Sequence, residues 1–287
     1  MNREIGGKVA ADDSGGAQPG AGRGFTLVEL LVVMGIIAIL VSLLLPAITG
    51  VMVSVRGAAT ANVIKNLGFA LETFRNDWGV YPPSDNTHPD KLIGVSTEAG
   101  TDAAFGYYNL FFALTGPEQR GWGASAQEPN QNKGPFGGTC TEVKPPYFLP
   151  EKASDRAWLD ATGGTSHWGY VDAFKPGRPI FYFRYEPGDT NPYDANDNRP
   201  HTGFDVNAQW SFASQIHFEW LVKPTDPSGT RRWVREDYLL ISCGADRYWG
   251  FVKQTGSGGT ATIVPALTQA DMAIATCDDV ANFNYSR

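Results

Sequence analysis

This sequence has few of the residues that usually build a catalytic centre. Its 287 residues include 18% charged residues, four histidines and three cysteines. It contains no Gly-x-x-x-x-Gly-Lys phosphate loop, no Gly-x-Ser-x-Gly nucleophile elbow and no His-Glu-x-x-His metal motif. The net charge of −7 also provides no basic surface for a nucleic acid. These absences predict a protein that is neither an enzyme nor a nucleic-acid-binding protein.

Charge is missing altogether from one long segment near the N-terminus. Residues 30–55 carry no charged side chain, and this run is longer than the roughly 20 residues that a membrane-spanning helix needs. Glu29 stands at the edge of the run. A carboxylate in an apolar segment is energetically costly, so Glu29 is a candidate functional residue. The simplest alternative is an ordinary signal anchor that tolerates an acid near its end.

Residues 24–29 read Gly-Phe-Thr-Leu-Val-Glu, a string that resembles the class III signal of type IV pilins and pseudopilins. The resemblance extends over residues 23–50 and includes Pro46, where the family usually places a helix-loosening proline. It implies that a prepilin peptidase cleaves between Gly24 and Phe25. The same enzyme is then expected to methylate the new amino group of Phe25.

The resemblance also implies a role for Glu29 and a location for the chain. In the family, this carboxylate attracts the free amino terminus of a neighbouring subunit as both leave the bilayer for a fibre. Glu29 and Pro46 are therefore predicted to be assembly residues. Because the peptidase acts on the cytoplasmic side, we expect an inner-membrane protein with a short cytoplasmic leader, residues 1–24, and a periplasmic head. The expected partners are the prepilin peptidase and methyltransferase, further copies of the chain, minor pseudopilins and the inner-membrane assembly platform.

After the leader, the sequence predicts one long helix and a globular head. Residues 25–75 favour a helix that is transmembrane to about residue 55, and residues 76–287 are expected to form the head. Beyond the membrane, apolar side chains recur at spacings of three and four and predict one buried stripe. Its members are Val55, Ala59, Val63, Leu67, Leu71 and Phe74. A long helix followed by strands argues for an α+β fold, with an antiparallel sheet packed against the helix as in pilins.

The head sequence predicts a second helix and several short strands. The helix is expected at residues 105–114, before Gly116 and Pro117. The expected strands are 179–185, 215–223 and 238–243, with weaker candidates at 249–253 and 261–264. Residues 116–170 are rich in glycine, proline and tryptophan, and are interpreted as an extended loop insertion packed by aromatic side chains. The sequence leaves the role of this insertion open.

Within the superfamily, the head most resembles the major pseudopilin, the G subunit, of type II secretion systems. Residues 240–246 are similar to that protein's Ser-x-Gly-Ala-Asp-Gly loop, and residues 278–282 to its closing Asp-Asp-Ile-x-Asn. The resemblance implies a calcium ion held by Asp246 together with Asp278 or Asp279. Carboxylate oxygens are ligands that calcium prefers.

Two departures from the family bear on this calcium site. Arg247 stands where the family has a glycine, and about thirty residues separate motifs that the family joins by a short loop. The alternative is that Asp246 ends a turn and that the later acids are solvated surface charges. A second acid-rich stretch, residues 194–198, has oxygen-bearing side chains at calcium-loop spacing, but Arg199 replaces the glycine that the tight turn needs.

The cysteines provide one disulfide at most. Cys140, Cys243 and Cys277 make an odd number, so an oxidising compartment favours one disulfide and one free thiol. Cys243 and Cys277 are the preferred pair because they flank the same C-terminal region. The spacing itself leaves the connectivity open.

These patterns predict a structural subunit of a type II secretion pseudopilus that polymerises through its N-terminal helix and drives protein export. A type IV pilin for adhesion, motility or DNA uptake is the alternative within the same superfamily. A monomeric, membrane-anchored extracytoplasmic binding protein is a more distant alternative, which would need neither cleavage after Gly24 nor the carboxylate of Glu29. The sequence does not identify the secreted cargo.

Overall fold

A computed structural model of the chain describes part of the sequence. The described residues are 26–84, 92, 106–123, 133–150, 156–160, 166–175, 177–189, 192–198, 222–223, 232–234, 236–245, 252–255, 262–265 and 280–283. They divide into two compact units between Thr49 and Gly50.

The first element is one long helix, α1 (Leu27–Trp78). It continues through Pro46, so this proline does not end the helix. At the C-terminus, Gly79 has a φ of +83°, a left-handed conformation that suits glycine, and its N–H donates to the Arg75 carbonyl at 2.7 Å. Two prolines at 82–83 follow and prevent the helix from resuming.

The part of α1 that ends at Thr49 exposes large apolar side chains on every side. Their exposed fractions run from 46% at Val33 to 79% at Leu27. Among the described helices, only α1 is long and apolar enough to span a membrane. Such an apolar surface is expected to lie in lipid or against other chains.

The remaining elements all belong to the unit that begins at Gly50. They are α2 (Gly106–Thr115), β1 (Arg156–Asp160), β2 (Ser166–Tyr170), β3 (Phe181–Arg184), β4 (Tyr238–Ser242), β5 (Val252–Thr255), β6 (Thr262–Pro265) and β7 (Val280–Ala281). Strands β3, β4 and β7 form one antiparallel sheet in that order, in which Phe183 pairs with Leu239 and Ser242 with Val280. Strands β1 and β2 form a separate antiparallel pair, and so do β5 and β6.

The core of this unit forms where the second half of α1 meets α2 and the sheet. Its buried members are Ile64, Leu67, Ala70, Leu71, Phe74, Tyr81, Leu92, Leu110, Phe111, Ala113, Leu114, Tyr170, Ile180, Tyr182 and Leu240. The long helix and the antiparallel sheet confirm the predicted α+β arrangement, which is consistent with a pilin-like fold. Because α1 contributes part of this core, a soluble fragment of the head has to retain the helix from about residue 56.

The buried stripe on α1 begins later than predicted. Val55 is 61% exposed, whereas Thr60 is fully buried. The Ala173 N–H donates to Thr60 Oγ1 at 3.0 Å. This hydrogen bond places a segment of the head against α1 at residue 60, which explains why burial begins there. Further along, Leu67, Leu71 and Phe74 are fully buried as predicted.

The local elements agree with the sequence in part. The predicted helix at 105–114 is α2, and the predicted strands at 179–185 and 238–243 are β3 and β4. The interpretation of residues 116–170 as loop was wrong where β1 and β2 form, because two five-residue strands show little periodicity among glycines and tryptophans. The weak candidates at 249–253 and 261–264 pair with each other as β5 and β6. Most of the predicted strand at 215–223 lies outside the described residues.

The start of α2 is fixed by contacts that are distant in sequence. The side-chain oxygen of Asn198 accepts from the Tyr107 N–H at 2.8 Å, and its Nδ2 donates to the Tyr182 carbonyl at 2.5 Å. A Cβ at Gly106 would lie only 2.1 Å from that same Tyr182 carbonyl oxygen. Glycine is therefore required there, and Asn198 joins α2 to β3.

Candidate assembly site

The N-terminus of α1 is closed by a capping box built from Thr26 and Glu29. The Thr26 N–H and the Thr26 hydroxyl each donate to Glu29 Oε2 at 2.9 Å, and the Glu29 N–H donates to Thr26 Oγ1 at 3.2 Å. This reciprocal pattern satisfies two backbone donors that a helix N-terminus otherwise leaves without partners. The Thr-x-x-Glu spacing could have indicated the box in the sequence, but our sequence analysis assigned Thr26 no role.

The capping box also determines how the carboxylate is presented. Both bonds from Thr26 end on Oε2, and among the described residues no donor contacts Oε1. The second oxygen, Oε1, can therefore accept a hydrogen bond from a positively charged group of another chain while the capping box stays intact. A carboxylate near the positive end of a helix dipole is also electrostatically favoured. Glu29 thus combines a fixed position with an open acceptor, and it is the one charged side chain of α1 before Arg56.

The two predicted processing residues, Gly24 and Phe25, lie outside the described residues. The described residues begin at Thr26, so cleavage between Gly24 and Phe25 stays a prediction. If it occurs, the new amino group will be one residue from the capping box. Pro46 lies within the helical backbone of α1.

Asp172 is the most deeply buried charged residue among the described residues of the head, and the sequence analysis assigned it no role. Asp172 is 2% exposed. Its Oδ1 accepts from the Arg178 N–H at 3.0 Å, and its Oδ2 accepts from the Ser242 hydroxyl at 2.8 Å. These bonds connect the loop before β3 to the last residue of β4.

Burial changes the acidity of this carboxyl group. Removal from water raises the pKa of Asp172 from 3.8 to about 6. Hydrogen bonds from Arg178 and Ser242, and the positive charge of Arg178, act in the opposite direction but only in part. Asp172 is therefore a group whose charge changes near neutral pH at a connection between two parts of the head.

The predicted calcium ligands cannot be placed. Asp246, Asp278 and Asp279 lie outside the described residues, although the residues just before Asp246 are described. Ser242 and Cys243 are buried, and the Gly244 N–H donates to Ser242 Oγ at 3.4 Å. Within the described ranges, no cluster of three or more histidine, cysteine or acidic side chains could hold a metal ion. Calcium binding at the C-terminal loop stays a prediction.

The second acid-rich stretch serves a structural purpose. Asp197 Oδ2 accepts from the Ser84 hydroxyl at 2.5 Å, and Asn198 is fully committed to α2 and β3. Because both polar atoms of the Asn198 amide are hydrogen-bonded to backbone, this residue is a poor metal ligand in the described arrangement. These contacts favour the interpretation of residues 194–198 as a turn.

Part of the insertion at residues 116–170 forms hydrogen bonds and an ion pair with the C-terminal end of α1. The Trp78 indole donates to the Tyr147 hydroxyl at 2.7 Å, and that hydroxyl donates to Asp77 Oδ2 at 2.8 Å. Lys144 Nζ lies 3.2 Å from the other oxygen of Asp77. A Cβ at Gly134 would lie 2.5 Å from the Trp78 ring. This part of the insertion therefore stabilises the helix–head junction.

Two of the three cysteines, Cys140 and Cys243, lie among the described residues. Cys243 is fully buried at the end of β4, whereas Cys277 lies outside the described residues. Cys140 is half-buried, and its thiol donates to the Glu142 carbonyl at 3.2 Å. The proposed pair Cys243–Cys277 stays a prediction.

Comparison with known proteins identifies the N-terminal segment. Residues 21–45 match the family described as the prokaryotic N-terminal methylation motif. The comparison with curated proteins and the comparison with solved structures each found no match. The match covers the candidate cleavage site, the capping box and α1 as far as Leu45. The motif and the apolar helix together fit a membrane-anchored single-pass protein, and the motif indicates a prepilin-peptidase substrate like those of type IV pilins and pseudopilins.

Proposed function

We propose that this chain is a structural subunit of a type II secretion pseudopilus. Prepilin peptidase removes residues 1–24 and methylates Phe25, and the mature subunit remains in the inner membrane with its head in the periplasm until it joins the fibre. Minor pseudopilins and an inner-membrane platform act in assembly, and fibre growth drives export. The protein performs no catalysis in this proposal.

The observation that carries the proposal is the capped carboxylate of Glu29, the one charged side chain of α1 before Arg56. Thr26 holds one oxygen of the carboxylate, and the other can receive the amino group of a neighbouring Phe25. A charge that stays unpaired in an apolar bundle is strongly disfavoured, whereas a paired one is tolerated. Pairing Glu29 with the amino terminus of the next subunit therefore sets the register between subunits.

The first prediction concerns processing. When the full chain is produced with a prepilin peptidase, mass spectrometry of the N-terminal peptide should find a mature chain that begins with methylated Phe25. The variant Gly24→Val should retain its leader, because a branched side chain replaces the glycine beside the scissile bond. A chain that keeps residues 1–24 in the presence of an active peptidase would contradict the proposal.

Calcium binding at Asp246, with Asp278 or Asp279, is the part of the proposal that distinguishes a secretion pseudopilin from a pilin. A site at a hundredfold excess of ligand over its Kd stabilises the folded state by about 2.7 kcal/mol. In a domain of this size, that corresponds to a rise in Tm of roughly 5–10 °C. We expect this rise when a soluble fragment, residues 56–287, is melted with calcium instead of a chelator.

Two variants localise the effect of calcium. Asp246→Ala should abolish the rise in Tm, whereas Asp194→Ala, in the acid-rich turn, should leave it intact. A melt that is the same with calcium and chelator would remove calcium from the proposal. It would favour a type IV pilin, stabilised by other means such as the predicted disulfide between Cys243 and Cys277.

A further inference from the structure

A loop between β2 and β3 joins α1 to the end of β4, and we call its described residues, 171–175 and 177–178, the clasp. Backbone contacts close the clasp, because the Asp172 N–H donates to the Arg178 carbonyl at 2.9 Å and residues 171 and 179 pair across its base. On the side of α1, the Ala173 N–H donates to Thr60 Oγ1 at 3.0 Å. The clasp therefore contacts α1 at the position where the helix first becomes buried.

The side chain of Asp172 holds the clasp from the inside. It is buried, and its two oxygens accept hydrogen bonds from different parts of the head, the Arg178 N–H and the Ser242 hydroxyl. Phe174 of the clasp is buried as well. Opening the clasp would bring both side chains into water and would separate the Ala173 N–H from α1.

Few described charges act on this carboxyl group. The buried side chain of Arg178 carries the positive charge that acts on it and favours its charged form. Lys175 of the clasp is exposed, and the nearest charged residues along α1 are Arg56 and Lys65. Strands β4 and β7 contribute no charged side chain, and β4 is followed by the buried thiol of Cys243. Burial, and not repulsion by a second described acid, therefore disfavours the charged form.

The closed and open forms of the clasp differ in how tightly they hold one proton. In the closed form, burial raises the pKa of Asp172 to about 6, whereas in an open clasp the carboxyl group returns to water and to its usual pKa of 3.8. The proton therefore stabilises the closed form fully below the lower value. This stabilisation is lost as pH rises to 6, so opening becomes easier.

We propose that the clasp is a proton-operated connection, which closes on α1 when Asp172 is protonated and opens locally when Asp172 is charged. Opening breaks the hydrogen bond to Thr60 and leaves the core between α1, α2 and the sheet in place, so it needs less free energy than unfolding of the head. The head is then attached to α1 less firmly at neutral pH than at mildly acidic pH. This inference concerns the head alone, so it applies equally to a pilin and to a secretion pseudopilin.

Hydrogen exchange of the full chain in detergent micelles at pH 5 and pH 7.5, read at single amides by mass spectrometry, tests the proposal. After correction for the intrinsic effect of pH on exchange, the protection factor of the Ala173 amide should fall about tenfold between these values, because opening follows the two pKa values of Asp172. The Leu240 amide, which donates to Asn282 Oδ1 at 2.7 Å, reports on the sheet. A chelator in both buffers keeps the predicted calcium loop in one state.

Low concentrations of urea distinguish local opening from unfolding of the whole head. Exchange at Ala173 should be nearly independent of urea, whereas exchange at Leu240 should accelerate, because only unfolding exposes a large surface. Equal protection of the two amides with the same dependence on urea would show that the clasp opens only when the head unfolds, and would overturn the proposal.

Two substitutions assign the effect to Asp172. Asp172→Asn should remove the tenfold change, so that the Ala173 amide is equally protected at both pH values. The matched control is Asp197→Asn, because Asp197 also accepts from a serine hydroxyl, that of Ser84 at 2.5 Å, and this variant should retain the change. A change that persists in Asp172→Asn, or a parent chain that shows none, would overturn the proposal and leave the proposed function standing.

Discussion

Replacing Glu29 with alanine should lower fibre recovery at least about tenfold, while cleavage after Gly24 continues. In the proposed function, cleavage needs the leader and its peptidase, whereas assembly needs a carboxylate that pairs with the amino group of a neighbouring Phe25. Without that charge, the amino group enters an apolar bundle without a partner, and such a charge strongly opposes association. Pulse-labelled processing and the yield of sheared fibres measure the two steps separately.

Two further variants separate the charge of Glu29 from its place in the cap. Glu29→Gln keeps an oxygen that accepts from Thr26 but removes the charge, so it should assemble as poorly as alanine. Thr26→Val keeps the charge and removes the hydroxyl that donates to Oε2 at 2.9 Å, so its loss should be smaller. Ser42→Ala is the matched control, because Ser42 donates only to the Ile39 carbonyl of its own helix among the described residues.

The outcome of these variants discriminates between function classes. If Glu29→Ala assembles and functions normally, the assembly hypothesis fails and a monomeric membrane-anchored binding protein becomes the better interpretation. If Glu29→Gln assembles while Glu29→Ala does not, the cap rather than the charge is the requirement.

Replacing Asp172 with asparagine should stabilise the head at neutral pH. In the folded head the pKa of Asp172 is raised to about 6, from a usual value of 3.8. Between these values the unfolded chain loses its proton and the folded chain retains it, so the free energy of unfolding falls as pH rises. Below both values the two states bind the proton equally, and above pH 6 the penalty is complete. The difference between the two pKa values corresponds to about 3 kcal/mol of unfolding free energy.

Urea unfolding of residues 56–287 at pH 5 and pH 7.5 measures this effect. The parent head should lose stability between these values, and Asp172→Asn should lose about 1.4 kcal/mol less, because at pH 5 about half of the penalty is already present. Asparagine retains an oxygen that can accept from the Arg178 N–H, and its amide can donate to the Ser242 hydroxyl, so the connection to β4 is kept. Ser242→Ala serves as the control, since it removes one hydrogen bond and leaves the carboxyl group. Parallel pH profiles for the parent and Asp172→Asn would show that Asp172 does not titrate in this range.

Several features could be predicted from the sequence because they depend on residues close together in the chain. The helix α1 is specified by an uninterrupted apolar run, followed by an i, i+3, i+4 stripe, and it ends where Gly79 and two prolines forbid continuation. The capping box likewise needs only the spacing of Thr26 and Glu29. Strands β3 and β4 have enough apolar and aromatic residues to be recognised alone.

Other features could not be predicted because they depend on partners distant in sequence. Asp197 and Asn198 have the composition of a calcium loop, yet contacts with Ser84, Tyr107 and Tyr182 give them structural roles. The hairpin of β1 and β2 needs pairing across its loop, and five-residue strands carry too weak a local pattern to reveal it.

By itself, the sequence determined that the chain has an N-terminal methylation motif, a long apolar helix with one carboxylate at its start, and an α+β head. These properties follow from local composition and periodicity, which act wherever the chain folds. Only the tertiary structure decided that Asp172 is buried between a loop and β4, and that Phe69 stays exposed while Leu67 and Leu71 are enclosed. Burial depends on which distant segments pack against a residue, and that packing both raises the pKa of Asp172 and leaves Phe69 exposed.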